Sequence, residues 1–509
     1  MTIKEYKCEN GEEFLYTGSP NFELLEELAA GPGDLWHSSL DQRYENIFPE
    51  LVYQTAVFWW YLNDLPGLKR SINWRINSKA FIVRKKVWEF FGGFNMAYES
   101  ETMKGLDLGY RMLRFGGGVP MYVEGLFPED FQKIQIPEID IYIFYRKNFK
   151  PRHCWYLLFR KVPKKFYANI RAFNQAKKIN FEAYKSLPAR PLEELKGEPS
   201  VDVIIPSMSR QEYTFQLLED YKNQSVLPRK IIVVDATLEN ERIPGIYERQ
   251  EYPFELNVKW QQSKGSCRAR NEAIKECSSD YIIFADDDTR IIPDFVKNHL
   301  RFLQTYKVEA CTGLDIQAQH HTQNLEDLKR LVLQQGDKAK KGGAAQSFNN
   351  ANSCVRRERV SELIGNDINF DGGYGEDSDF GLRLIKNGTI LLFNPYSINL
   401  HLKPPSGGYR VWGIQSSITG KKRKKQAWEL DKPVGRIRPV PSPTIVYGIL
   451  KHFKSKQVRE YKKRYLFLYL SKDFKKFPIR LLNLPFKIWQ FKKAMFYAQN
   501  LIKRGERFQ

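Results

Sequence analysis

Three short apolar and β-branched runs, VDVII (201–205), IIVV (231–234) and YIIFA (281–285), alternate with stretches that read as helices, at 211–223 and 266–276. Runs of that length and composition are typical of buried parallel strands, and their alternation with helices predicts a doubly wound α/β sheet. In such sheets ligands bind beyond the carboxyl ends of the strands, so the residues directly after each run carry the chemistry. The preceding stretch SLPARPLEELKGEPS (186–200), with three prolines and a glycine, reads as a linker. Near the C terminus, KIWQFKKAMFYAQNLIK (487–503) sets Ile488, Phe491, Met495, Ala498 and Ile502 at three- and four-residue steps among Lys487, Lys492, Lys493 and Lys503. That pattern suits an interfacial helix on an anionic membrane surface, or else a helix packed on the preceding domain with its lysines in solvent. No apolar run approaches the ~20 residues that span a bilayer, and the opening MTIKEYKCENGEEF lacks signal-peptide features, so a cytoplasmic, peripheral protein is expected.

Laid on itself at an offset of 272, the chain repeats. Val83-Arg84 matches Val355-Arg356, Gly93 matches Gly365, and GLDLGYRMLRFG (105–116) matches DSDFGLRLIKNG (377–388), with Asp107/Asp379, Gly109/Gly381, Arg111/Arg383 and Gly116/Gly388 identical. The chain before the first copy is too short for the strand and helix series that precedes the second. Residues 1–140 therefore read as a half-domain, followed by a basic aromatic connector and linker (141–200), an α/β domain (201–420) and a basic region (421–509).

Composition adjusts this picture in one respect. The chain has 509 residues and a formal net charge of +21, which by itself would suggest nucleic acid. The excess is concentrated: residues 421–509 hold 25 Lys/Arg against 5 Asp/Glu, and 141–178 hold 11 Lys/Arg and no acid. Basic aromatic segments of this kind bind membranes and nucleic acids alike, but no recognised nucleic-acid-binding module accompanies them, so the tail, aided by 141–178, is expected to hold the protein on the inner face of the cell membrane, and no nucleic acid is expected. The six cysteines form no C-x-x-C pair and are expected to be reduced thiols.

After YIIFA comes Asp286-Asp287-Asp288. Carboxylates at i and i+2 of a strand end can share a hard divalent cation that neutralises a diphosphate, or they can form a solvated turn with a helix cap. Other strand ends carry polar groups as well: Pro206-Ser207-Met208-Ser209-Arg210 after the first and Asp235-Ala236-Thr237 after the second. Lys264-Gly265-Ser266-Cys267-Arg268-Ala269-Arg270-Asn271 opens a helix suited to an anion. No G-x-G-x-x-G follows the first strand, which argues against a dinucleotide fold.

In order and spacing these elements resemble the family-2 inverting glycosyltransferases of the GT-A fold. The resemblance covers about 201–413 and includes NANSCVRRE (350–358) and GYGEDSDFGLRL (373–384). It implies that Pro206, Ser207, Arg210, Asp235, Arg270, Asp286 and Asp287 bind a nucleotide-diphosphate sugar, Asp235 and Arg270 at the base or ribose. It implies that Asp288, with Asp286 and His401, coordinates Mn²⁺ or Mg²⁺. Asp377 would be the general base and Glu376 would bind the acceptor. A carboxylate at a helix amino terminus is favoured as the anion, which suits proton abstraction from a sugar hydroxyl. The loop after His401 would close over the donor, with Lys403 or Arg410 on phosphate.

In the first copy Lys104-Gly105 stands where Glu376-Asp377 stands in the second, and no D-x-D precedes it, although Glu99 and Glu101 lie nearby. It is expected to be non-catalytic, with Trp36, Trp59, Trp60, Trp74 and Trp88 in a core or stacking on sugar. The expected architecture is an α/β GT-A catalytic domain, an N-terminal α/β half-domain and a basic helical tail. The expected activity is metal-dependent inverting transfer to a saccharide or lipid-linked acceptor. The alternative is a non-catalytic carbohydrate- or nucleic-acid-binding protein. Homo-oligomerisation is compatible with the sequence.

Overall fold

The computed structural model describes residues 2–39, 60–65, 67–128, 136–163, 165–181, 184–409 and 425–509. Trp59 and Arg410 lie outside these residues, as does the end of the stretch that carries the family resemblance. The chain forms two units, one of Met1–Pro188 with Phe453–Ile488 and one of Ala189–His452 with Trp489–Gln509. These boundaries differ from the expected ones: the basic connector belongs to the first unit, and the basic C-terminal region is divided between the two.

The first unit contains strands β1 (Lys4–Lys7), β2 (Glu13–Thr17), β3 (Leu35–His37), β4 (Arg70–Ile72), β5 (Phe81–Arg84) and β6 (Pro120–Val123), in the order β1-β2-β5-β3-β6-β4. Among the described residues of this unit, only β3 and β6 pair in parallel. In the second unit β7 (Val201–Ser207), β8 (Lys230–Asp235), β9 (Glu255–Trp260), β10 (Tyr281–Ala285), β11 (Thr289–Ile291), β12 (Ala310–Gln317), β13 (Asn352–Arg356) and β14 (Leu391–His401) make one sheet, in the order β11-β14-β12-β13-β10-β7-β8-β9. The four strands β10-β7-β8-β9 are parallel, as the alternating pattern predicts, and every residue of β7 is buried. Antiparallel β13 joins them to the parallel pair β12 and β14, so the sheet as a whole is mixed.

The sequence repeat is a structural repeat. Pairing senses along β2-β5-β3-β6 reproduce those along β10-β13-β12-β14: antiparallel, antiparallel, parallel. Arg111 donates from Nη1 to Phe91 O at 2.8 Å and from Nη2 to Gly93 O, while Arg383 donates to Leu363 O at 3.0 Å and Gly365 O at 2.8 Å. Both arginines also meet the carboxylate one helical turn earlier, Asp107 or Asp379.

Register shows what the first copy lacks. Phe14 lies opposite Arg84 as Tyr281 lies opposite Arg356, which puts Ser19-Pro20-Asn21 at the place of Asp286-Asp287-Asp288. Asn21 caps the helix Phe22–Ala29. Where Asp377 stands in the second copy, a Cβ on Gly105 would lie 2.6 Å from Ile76 O and 3.0 Å from Ser78 N, so backbone fills the space. Lys104 is buried and donates to Glu101. Trp36, Trp60 and Trp74 are buried, and Trp88 packs against the Leu35, Phe81 and Val87 cluster, so these rings belong to a core.

The terminal helix corrects one expectation. In Leu484–Arg504 the buried positions from Trp489 onward are Gln490, Phe491, Ala494, Tyr497, Ala498 and Leu501, whereas Ile502 of the expected lipid-facing stripe is exposed. Phe491, Ala494, Ala498 and Leu501 follow helical spacing, and the two alanines permit close approach. This face packs within the second unit on Phe370, Trp428, Val446 and Tyr447, the Tyr497 ring lying edge-on to Trp428 at 5.1 Å. The stretch 489–504 is a core helix of the second unit, which is the packed alternative and not the interfacial helix among the two readings its pattern allowed. Leu501→Ala should lower stability by about 2–3 kcal/mol, measured by urea unfolding. An unaltered midpoint would show that this helix is not held there.

Candidate active site

The carboxyl ends of β7 and β10 open into a cavity of about 950 Å³ within the second unit. Pro206, Arg210, Arg270, Asp286, Asp287, Asp288, Glu376, Asp377 and His401 line it, so nine of the expected site residues share one wall system. Ser207 and Asp235 are brought to the same strand ends but do not line the cavity.

The acidic turn is held by its neighbours. Asp286 accepts from Arg270 Nη2 at 2.6 Å. Asp287 is buried and accepts from Ser207 Oγ at 3.0 Å and Arg210 Nη1 at 3.2 Å. Burial pushes its pKa up to about 7, against the pull of Arg210. Asp288 meets Arg210 Nη1 at 2.8 Å and His401 Nε2 at 3.3 Å. Burial acts to raise its pKa too, but His401 and Arg210 hold it below the ordinary carboxylate value. His401 lies between Asp288 and Asp315, 3.3 Å from each. Burial disfavours its charged form, yet the two carboxylates raise its pKa to about 10.

Ligand atoms of Asp286, Asp288 and His401 all lie within 4.8 Å of one another. Two carboxylate oxygens and an imidazole nitrogen form a donor set that suits Mn²⁺ and tolerates Mg²⁺. The expected metal ligands therefore fit the ion. Asp315, which the sequence did not single out, stands behind His401 in the position that orients a ligating imidazole.

Asp235 closes its own site. Its carboxylate is fully buried and accepts from Gln211 Nε2 at 3.0 Å, Tyr247 OH at 2.9 Å and Thr237 N at 2.8 Å. The expected contact with base or ribose is thus not presented to the cavity. The loop after β14 folds back over the strand ends: Leu402 N donates to Asp288 O, Gly408 N to Met208 O, Arg210 Nε to Ser406 O and Tyr409 OH to Ser207 O. Lys403 lines the cavity.

Glu376 and Asp377 begin the helix Glu376–Lys386, whose cap, Gly375, has φ +105°, a conformation that glycine alone adopts without strain. Asn350 Nδ2 donates to Asp377 Oδ1 and fixes that carboxylate. Arg270 is fully buried, and Asp286 and Asp377 both favour its charge against the cost of desolvation. The remaining wall comes from the C-terminal region. Trp428, Arg438, Val440, Ser442, Ile445 and Gln490 line the cavity, and Thr444 Oγ1 accepts from Tyr374 N at 2.8 Å. Their sequence signal is hidden by the basic composition around them, whereas Asn350 sits in the NANS run.

Residues 202–359 match the family described as Glycosyl transferase family 2. The chain is 26% identical over 212 residues to a dolichyl N-acetyl-alpha-D-glucosaminyl phosphate 3-beta-D-2,3-diacetamido-2,3-dideoxy-beta-D-glucuronosyltransferase of Methanococcus voltae, covering 38% of this chain and 64% of that protein. It is 27% identical over 106 residues to the uncharacterized glycosyltransferase YwdF of Bacillus subtilis (strain 168), covering 21% of this chain and 38% of that one. The chain thus spans under two thirds of either relative. Among solved structures, the mannosyltransferase PcManGT of Pyrobaculum calidifontis, in complex with GDP-Man and Mn²⁺, aligns with a TM-score of 0.35 at 16% identity, over 61% of this chain and 89% of that chain.

Proposed function

We propose that the chain, whose residues 202–359 match glycosyl transferase family 2, is a metal-dependent inverting glycosyltransferase. It moves a sugar from a nucleotide-diphosphate sugar to a saccharide or lipid-linked saccharide, in cell-surface polysaccharide or glycoconjugate synthesis. The observation that carries this reading is the single cavity lined both by the Asp286, Asp288 and His401 donor set and by Asp377 at a helix amino terminus.

Asp286, Asp288 and His401 would hold Mn²⁺ or Mg²⁺, which supplies positive charge to the diphosphate as it leaves. Arg210 and Lys403, on the same wall, add cationic groups for the phosphates. Asp377, oriented by Asn350, accepts the proton of the acceptor hydroxyl while that oxygen bonds to the anomeric carbon. The bond from that carbon to the phosphate oxygen breaks with its electron pair on the diphosphate, and the configuration inverts. Glu376, beside the base, binds the acceptor, and the Tyr374 and C-terminal wall gives it a surface.

A panel of nucleotide sugars, titrated with and without Mn²⁺ by calorimetry, tests the reading. One donor should bind with the metal and lose that affinity in chelator. Asp288→Ala should abolish the metal-dependent part in protein that still folds, with thermal unfolding lowered by the lost buried contacts to Arg210 and His401. Full activity of this variant in chelator would reject the metal site.

A further inference from the structure

We infer that the helical face of the first unit, formed by Pro151–Lys161, Phe166–Lys177 and Phe477–Leu482 around Ser455–Ser471, docks on an anionic lipid surface. The inference is independent of the transfer chemistry. It keeps the two basic segments that the charge singles out, 141–178 and 421–509, and replaces the terminal helix with the helices of the first unit as the contact.

Large apolar side chains are exposed here in unusual density. Phe159 is 63% exposed, Tyr167 86%, Ile479 61% and Leu482 82%, with Trp155, Phe166, Leu481 and Phe486 also exposed. Large apolar side chains left exposed on neighbouring helices mark an interaction site. The helices meet on the half-buried run YLFLYL (465–470). The Phe467 ring lies 5.2 Å from Tyr156 and 5.6 Å from Phe159, while Arg480 donates to Tyr469 O at 3.1 Å and Lys487 stands over the Tyr469 ring at 5.5 Å. Helices distant in sequence thereby flank Ser455–Ser471.

Charge selects the occupant. Residues 151–178 hold eight Lys/Arg and no acid, and residues 455–487 hold ten Lys/Arg against Glu460 and Asp473. Glu460 is buried, taking hydrogen bonds from Tyr156 and Arg160, which leaves Asp473 as the sole acid outside the interior of these two segments. Lysine is depleted in protein–protein interfaces, whereas protruding aromatic and aliphatic side chains among lysines are what a headgroup boundary accommodates. Anionic headgroups complement the basic residues, and the attraction weakens as salt screens it.

The test uses the full chain with vesicles of phosphatidylcholine, with and without phosphatidylglycerol, in co-sedimentation at low salt. Binding should require phosphatidylglycerol and fall as salt rises. The double variant Ile479→Glu, Leu482→Glu should lose at least about tenfold in vesicle affinity, since each side chain withdraws most of its apolar surface from water on insertion. A second pair, Phe159→Glu with Tyr167→Glu, should do the same, and thermal unfolding of both should match the parent because the side chains are exposed. Unchanged vesicle binding by both pairs would overturn the inference. So would a parent that ignores vesicles but forms an oligomer in light scattering that these variants dissociate, since the face would then belong to a second copy of the chain.

Discussion

Asp377→Asn should slow transfer by ~10²–10⁴-fold while leaving donor affinity within about a factor of two. The amide keeps the size of the carboxylate and can still offer its carbonyl oxygen to Asn350, so the helix start and its contact survive. What is lost is the group that accepts the hydroxyl proton, a difference of about 3–5 kcal/mol in the activation barrier. Single-turnover kinetics with the donor identified by the nucleotide-sugar panel would read the step directly. A variant as fast as the parent would remove Asp377 from the chemistry, and Glu376 would be the next carboxylate to replace.

The second large effect is on stability. Asp107 is fully buried in the first unit and is approached by Lys147 Nζ at 2.8 Å, Tyr98 OH at 2.9 Å and Arg111 Nε at 3.4 Å. Burial already lowers the pKa of Lys147, against the support of Asp107. Asp107→Ala leaves these cations without their carboxylate, and breaking a buried pair from one side costs about 3–5 kcal/mol. Urea unfolding should show the transition of the first unit shifted by that amount. Transfer by the protein that remains folded should proceed at the parental rate, because Lys104 and Gly105 leave this copy without a base. Parental stability combined with lost transfer would mean that the first unit acts in catalysis.

The parts of the site that were legible in the sequence are those written in consecutive residues. Asp286-Asp287-Asp288 follows a recognisable strand, and Glu376-Asp377 opens a recognisable helix, so type and place are both local. Asp315 and Gln490 reach the site through the path of the chain. Asp315 is brought to His401 by the parallel pairing of β12 with β14, and Gln490 by the packing of the terminal helix on Trp428 and Tyr447. Neither has a local motif. Asp235 shows the opposite limit: a polar residue at a strand end has the right position, yet Gln211 and Tyr247 occupy its Oδ2 and Thr237 its Oδ1. In the terminal helix, net charge drew attention to the lysines, while Ala494 and Ala498, small enough for close helix packing, decided which face is buried.

The interleaving of the two units bears on how the protein can be made. Asn271, in the second unit, donates to Phe508 O at 2.9 Å, and Ile368 N donates to Arg507 O at 2.8 Å. During synthesis residues 189–452 must wait for 489–509, and residues 1–188 for 453–488, before either core closes. Domains that fold from contiguous sequence can mature one after another as they emerge, but here neither unit can. The surface around Phe370 and Tyr447 is therefore covered only once the terminal helix is made. No uninterrupted stretch of the chain contains a whole unit, and a chain that joins 489–509 directly to 189–452 is the form in which the second unit should be obtainable alone.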